Sequence, residues 1–298
     1  MEPEELIPPV PAEQVSDCTL TALTIAYSAP MPGIGSRYLD SAVAHETRIL
    51  TTTPVRDALA GAGTQTIGET VLSAVLGSRV LSGFADVRAA GYLAPLARAA
   101  LLGEPFRRVL SKLGNPDIPP FISALEAAGD TGPFSGALQV ARQAGREATL
   151  RDVARFVATR DPLAREYAQG YEITTELAGP AIMEALSRAE STRAALVHSY
   201  LEVLAEIPDL DITRRAGERE AEDVSRMAHG VIKSGSVYSR RGLQSIANLG
   251  GILREDPRLA PSATEPPIIA AAFLLTLEYG PESLSRRLRP ATGANRGR

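Results

Sequence analysis

Residues 158–172 read Ala-Thr-Arg-Asp-Pro-Leu-Ala-Arg-Glu-Tyr-Ala-Gln-Gly-Tyr-Glu, and the spacing within this stretch decides the fold class. Asp161-Pro162 is a helix start. The Asp side chain accepts from free N–H groups of the first turn, and Pro fits the first helical position, where its missing N–H costs nothing. Leu163, Tyr167, Gly170 and Tyr171 then recur three or four residues apart, which puts them on one helical face. The same period continues outward. Thr149-x-x-Asp152 opens a helix to Thr159, and Thr66-x-x-Glu69 is a capping box opening another to about Val80. Further helices are predicted over 12–28, 87–102, 104–113, 117–128, 191–206, 212–233, 237–254 and 266–279, with breakers at 29–36, 115–116 and 129–136. Aromatic residues are only 5% of the chain, and no alternating β-branched run lies between turn signals, so strands are not expected. The reading is all-α. A single large multi-helix domain over 12–287, with antiparallel helices around a polar pocket, lies between flexible segments 1–11 and 288–298.

The 298 residues can bury a sizeable core, and 44% hydrophobic with 22% charged residues is globular composition. A net charge of −4 and a pI near 5.6 exclude a general nucleic-acid binder, which needs a basic excess to neutralise phosphates. The longest apolar run, Ile268 to Leu277, is too short to span a bilayer, and the acidic, Pro-rich start is no signal peptide. A cytoplasmic protein without a membrane partner is expected. Cys18 stands alone, which rules out an internal disulfide and reads as a small buried hydrophobe. His45, His198 and His229 lack metal-binding spacing.

Polar chemistry concentrates in two stretches. The first carries Arg160, Asp161, Glu166 and Tyr167. A scaffold alone also satisfies its spacing: Asp161 caps, Arg165 pairs with Asp161 one turn away, and the tyrosines pack with their hydroxyls bonded. The second, 207–217, reads Ile-Pro-Asp-Leu-Asp-Ile-Thr-Arg-Arg-Ala-Gly. Asp211 is a ready N-cap there, and Arg214 and Arg215 fall in the opening turns of the next helix, where the dipole disfavours cations. Two carboxylates, two arginines and free N–H groups suit a magnesium-bound polyphosphate. Asp209 and Asp211 would hold the metal. The loop Pro30-Met-Pro-Gly-Ile-Gly-Ser-Arg37 can bring the Gly33 backbone and Arg37 to an anion, or serve as a rigid turn between helices.

Several motifs in order resemble the triphosphoribosyl-dephospho-coenzyme A synthase family, in its shorter archaeal-type branch, from about Asp17 to Gly280. Ser-Ala-Pro-Met-Pro-Gly (28–33) is similar to the family's Ser-Ala-Pro-Lys-Pro-Gly loop, and Tyr-Leu-Ala-Pro-Leu-Ala (92–97) to its Leu-Ala-Pro-Leu helix. Arg-Asp-Pro-Leu-Ala-Arg-Glu-Tyr (160–167), the 204–217 stretch, and Ile-Ile-Ala-Ala-Ala-Phe-Leu (268–274) resemble three further family segments. The resemblance implies an all-helical phosphoribosyl-type transferase of cofactor biosynthesis. Such enzymes join the ribosyl-triphosphate part of ATP to the ribose of dephospho-coenzyme A and displace adenine. A role in methanopterin-type one-carbon cofactor synthesis is a variant of the same implication.

On that resemblance Asp209, Asp211 and Glu166 are the candidate catalytic carboxylates. Arg160, Asp161, Tyr167, Arg214, Arg215, Gly33, Arg37 and Asp86 would bind substrate, and Mg²⁺ would accompany the nucleotide polyphosphate. The expected partner is a small phosphorylated molecule, with a homodimer left open. The sequence also departs from the family. Met31 replaces the loop lysine, the Asn-rich segment becomes Phe84–Arg88 with Asp86 retained, and the C-terminal turn becomes 262–268 with Glu265 as the nearest acid. These departures support the alternative of a non-catalytic helical protein that binds a ligand or partner on an eroded site.

Overall fold

The computed structural model describes residues 8–38, 43–143 and 148–285, so the expected flexible ends lie largely outside the described residues. Among those described, sixteen α-helices form one helical domain and no strand occurs. Helices α1 (Ala12–Ser28), α2 (His45–Ala60), α3 (Ile67–Ser82) and α4 (Val87–Leu102) pack in series. The next five are α5 (Phe106–Ser111), α6 (Ile118–Ala128), α7 (Pro133–Gln143), α8 (Leu150–Val157) and α9 (Pro162–Gln169). Of these, α6 lies on α3, while α5 and α9 lie on α4. A π-helical segment, Ile173–Ala178, leads into α10 (Gly179–Arg188) and α11 (Thr192–Glu206). The chain continues through α12 (Leu210–Arg215), α13 (Glu218–Lys233) and α14 (Arg240–Glu255) to α15 (Glu265–Tyr279) and α16 (Glu282–Ser285). Helix α15 is the centre of the domain: Glu265–Phe273 are all buried, and it packs against α1, α4, α10 and α11. Its apolar surface runs all the way round, as a core helix requires. No helix among the described residues is long and apolar enough to cross a membrane.

Helix α4 is buried along most of its length and contains Pro95. A proline inside a helix removes the bond to the carbonyl four residues back, here that of Gly91. Tyr167 supplies the missing donor, its hydroxyl lying 2.7 Å from the Gly91 oxygen. Tyr171 donates to the next carbonyl, that of Tyr92, at 2.6 Å, and the Tyr92 hydroxyl returns to the Pro162 carbonyl at 2.9 Å. Leu163 of α9 packs against Gly91: a Cβ there would lie 2.7 Å from Leu163 Cδ2. The chain leaves α9 through Gly170 and Tyr171 in left-handed conformations, φ 71° and 62°, which turns the Tyr171 ring into the core. Pro54 in α2 frees the carbonyl of Leu50, an exposed residue, and no side chain among the described residues donates to it.

Most expected helices are present, and the differences have local causes. Helix α2 was not predicted: its Thr-rich sequence and internal Pro54 blur the apolar repeat. Helix α10 was likewise unread. Helix α7 starts inside the expected 129–136 breaker because Pro133 serves as a helix start. The single helix expected over 212–233 is two, α12 and α13, separated at Gly217 with φ 124°. The α12 cap is Asp209, which accepts from Asp211 N–H (2.9 Å) and Ile212 N–H (3.1 Å), so Asp211 is not the N-cap. Arg214 and Arg215 consequently occupy the last turn of α12, where the dipole favours them. Arg165 donates to Gln169 at 3.1 Å; the expected pair with Asp161 is replaced by Asp161's bonds to the Leu163 and Ala164 N–H groups.

The Tyr167 hydroxyl predicts a measurable coupling. Tyr167→Phe leaves the buried Gly91 carbonyl without a donor and is expected to cost about 1–3 kcal/mol in urea unfolding. In a Pro95→Ala background the restored N–H takes over that carbonyl, and the cost of Tyr167→Phe shrinks. Equal costs in the two backgrounds would refute the assignment.

Candidate active site

The N-terminal ends of α4 and α15 converge on a cavity of about 700 Å³. The remaining walls come from the Gly33–Gly35 loop, the start of α2, the Gly129–Asp130 turn and the ends of α12 and α14. Gly33 makes the loop possible: its φ is 77°, and a Cβ would lie 2.7 Å from Pro261 Cδ. Four arginines, Arg48, Arg88, Arg215 and Arg254, line the cavity beside the acids Asp86, Asp130 and Glu265. Two helix N-termini with arginines make a surface suited to anions, provided that the acids do not consume the cations.

The first of two ion networks is centred on Arg48. Its Nη2 lies 2.7 Å from Glu265 Oε2 and 3.7 Å from Asp86 Oδ2, and Nη1 donates to the Gly35 carbonyl at 3.2 Å. The guanidinium stacks over the Tyr27 ring at 4.0 Å, and the Tyr27 hydroxyl donates to Asp86 Oδ2 at 3.0 Å. Asp86 Oδ1 meanwhile caps α4 through the Ala89 N–H at 2.9 Å. Burial raises the Glu265 carboxyl, against the pull of Arg48 and with reinforcement from Asp86. The other Glu265 oxygen, Oε1, is buried without a partner among the described residues.

The second network is centred on Asp211. Both of its oxygens bond Arg88, and they also accept from Ser262 Oγ (2.7 Å) and Arg214 Nη2 (3.2 Å). Burial alone would raise this carboxyl, but its hydrogen bonds and the charges of Arg88 and Arg214 hold it well below the usual range. Arg215 donates to the Asp211 carbonyl at 3.0 Å and to Ser262 Oγ at 3.2 Å. Asp209 sits behind this layer. One oxygen caps α12, and the other accepts from Ala263 N–H (2.9 Å) and Thr264 Oγ1 (2.8 Å). Asp209 thereby holds the turn that starts α15 and presents Glu265. Burial, reinforced by the Asp211 charge, pushes its carboxyl up to about 6.

The family model for ATP:dephospho-CoA triphosphoribosyl transferase (CitG) matches residues 39–282. The chain belongs to this family. A crystal structure of a candidate triphosphoribosyl-dephospho-CoA synthase from Archaeoglobus fulgidus is similar in fold, with a TM-score of 0.58 at 18% identity. The similarity covers 79% of this chain and 98% of that one. No curated protein sequence matches the chain.

Within the family fold, the residues expected at the site divide. Gly33, Asp86 and Arg215 line the cavity, and Asp211 braces it through Arg88 and Ser262. Arg214 pairs with Asp211 outside the lining, and Arg37 is exposed away from it. Asp161, Glu166 and Tyr167 are buried outside the cavity lining. Glu166 is fully buried and accepts from the Ile173 (3.0 Å) and Thr174 (3.2 Å) N–H groups and the Thr174 hydroxyl, fastening the π-helical segment. Arg160 is exposed beside Phe156 on a different groove. Asp209 and Asp211 do not fit a resident magnesium ion, because protein donors already occupy all four of their oxygens. Met31, at the family's lysine position, is fully buried in the core and cannot reach a phosphate.

Sequence reasoning missed Arg48, Arg88, Asp130 and Arg254. A signal for Arg48 existed: with Thr51, Thr52, Val55 and Leu59 it follows the buried-face spacing of α2, where a charge needs a reason.

Asp209 gives a pH prediction of definite sign. Its carboxyl moves from an ordinary 3.8 to about 6 on folding, so folding favours the proton. That contribution is full below 3.8 and is lost as pH rises through about 6. The stability of the wild type relative to Asp209→Asn should therefore fall between about pH 4 and pH 7 in urea titrations. A difference that stays flat over this range would show that Asp209 does not titrate as described.

Proposed function

We propose that the protein is a divergent transferase of this family, acting on a nucleotide donor and a phosphorylated acceptor in cofactor biosynthesis. The observation that carries the reading is an Arg-lined cavity bordered by Glu265, whose buried Oε1 has no partner among the described residues. Arginines and helix N-termini would hold the phosphates. In the proposed reaction the bond from ribose C1′ of ATP to adenine breaks, and a bond from C1′ to an acceptor ribose oxygen forms. The acceptor hydroxyl gives up its proton to Glu265, while adenine carries away the electron pair of the broken bond, takes up one proton from solvent and leaves as the neutral base. Glu265 is the residue best placed to stabilise the positive charge that develops at C1′ and to accept the hydroxyl proton; burial raises its carboxyl, which makes it the stronger base. Magnesium enters this proposal as the counter-ion bound to ATP. Dephospho-CoA is the acceptor that the family description supplies, and the resemblance to the archaeal-type branch supports the methanopterin-type variant.

A second reading, a binding protein without catalysis, is favoured by two observations. Met31 is buried in place of a basic residue, and Arg48 and Arg88 are already neutralised by acids. Adenine release from Mg-ATP and dephospho-CoA separates the two. Release by the wild type is expected to fall on the order of 10²–10³-fold in Glu265→Gln, while the ATP-dependent rise in melting temperature persists. No adenine and no ATP-dependent shift in the wild type would overturn the transferase reading.

A further inference from the structure

Helices α7 and α8 form an outer pair that packs mainly on α6 and α9. Between them lies a groove of about 660 Å³, starting at Pro133 just beyond the Gly129–Asp130 turn of the cavity wall. Gly136, Ala137 and Ala141 of α7 present little or no side chain there, which opens the space. Phe156 of α8 lines the groove and is 75% exposed, the most exposed aromatic ring among the described residues. Val140 of α7 lines it too and is 66% exposed. A large ring and a valine side by side in water are an apolar patch that association would cover.

The charged residues lining the groove are Asp152 and Arg160, and they stand four residues to either side of Phe156. Residues at i, i+4 and i+8 share one helical face. The Arg160 guanidinium lies 5.8 Å from the centre of the Phe156 ring, so that face continues past Val157, the last residue of α8. The stripe therefore reads acid, ring, base. Run backwards, it is complementary to itself: a twofold axis through Phe156 sets each Asp152 against Arg160 of the other copy and covers both rings. Both charges are open to a partner. Asp152 uses Oδ2 for the Thr149 cap and keeps Oδ1 unbonded, and Arg160 makes no ion pair, among the described residues. Arg151 and Arg155, the other cations of α8, lie one residue off the stripe and outside the groove lining.

We infer that this face joins two copies of the chain as an isologous dimer, whatever the cavity catalyses. Helix α8 runs antiparallel to α8 of the other copy, and each Phe156 enters the α7–α8 groove opposite. The order of charges selects a second copy over an unrelated protein, because the reversed order that a partner must present is already supplied by this chain. In such an interface every contact is made twice, so one ring and one ion pair per copy count double.

Sedimentation velocity over a concentration series tests the interface. The wild type should show a monomer–dimer equilibrium. Phe156→Asp, at an exposed site, should keep the wild-type far-UV circular dichroism and raise the dimer dissociation constant about 100-fold or more, since two rings lose their cover. Arg160→Glu and Asp152→Arg should each dimerise more weakly alone, because like charges then face each other twice. Mixed in equal amounts, they should form a tighter heterodimer, with one native ion pair and one reversed. Asp152→Arg also gives up the Thr149 cap, a loss read separately in the melting temperature. A wild type that stays monomeric, a dimer untouched by Phe156→Asp, or a mixture no tighter than its components would each overturn this arrangement.

Discussion

The carbonyl of Gly91, left without its helical donor by Pro95, is the constraint around which this fold is organised. A buried unpaired carbonyl is costly, and here the cost is avoided by a tyrosine seventy-six residues away in sequence. Tyr167 can reach it only if α9 lies against α4, and that approach is open because residue 91 has no side chain to meet Leu163. The interlocked bonds of Tyr167, Tyr171 and Tyr92 then fix α4 along its length. The N-terminal end of α4 is what carries Asp86 and Arg88 into the cavity. The Leu-Ala-Pro-Leu and Arg-Glu-Tyr segments, read separately as family motifs, are thus two halves of one packing unit.

A second organising device works at the other wall. Asp209 and Asp211 stand two residues apart and look interchangeable as text, yet the fold gives them opposite electrostatics. Asp209 accepts four neutral donors while buried beside a like charge, which pushes its carboxyl up; Asp211 accepts two arginines, which holds it down. The first behaves as a structural cap shared by α12 and the turn into α15. The second orients Arg88 and, through Ser262, the turn beside Arg215. Neither leaves an oxygen for a metal. Glu265, whose position both aspartates help to set, keeps one buried oxygen without a partner among the described residues.

The fold was legible because its signals are local. Asp161-Pro162, Thr66-x-x-Glu69 and Thr149-x-x-Asp152 act within one turn, and the structure contains each of these caps as a bond. The site was legible only in part. Asp86, Gly33, Arg215 and Asp211, which line or brace the cavity, lie in stretches dense in polar residues. The same density marks Glu166, Tyr167 and Arg160, which the structure places outside the cavity lining, with contacts to α4, the π-helical segment and Phe156. Arg48, Arg88 and Arg254 lie on three helices far apart in the chain, α2, α4 and α14. Only the crossing of α2, α4 and α14 brings them to one cavity, and no spacing within a single helix encodes that crossing.

What the cavity can hold follows from which of its charges are already spent. Arg48 and Arg88 face carboxylates at contact distance, so an incoming phosphate must share them with Glu265 and Asp211. Such shared cations orient a ligand more than they attract it, because the net charge at each pair is near zero. Arg254 has no such competitor among the described residues, and Arg215 is tied only to neutral oxygens. Electrostatic attraction is therefore strongest at the α12–α14 side, and the unpaired carboxylate oxygen lies at the start of α15. A ligand with an anionic end and an electron-poor or hydroxyl-bearing centre spans these two points with its charges matched. A purely anionic one would meet Glu265 with repulsion.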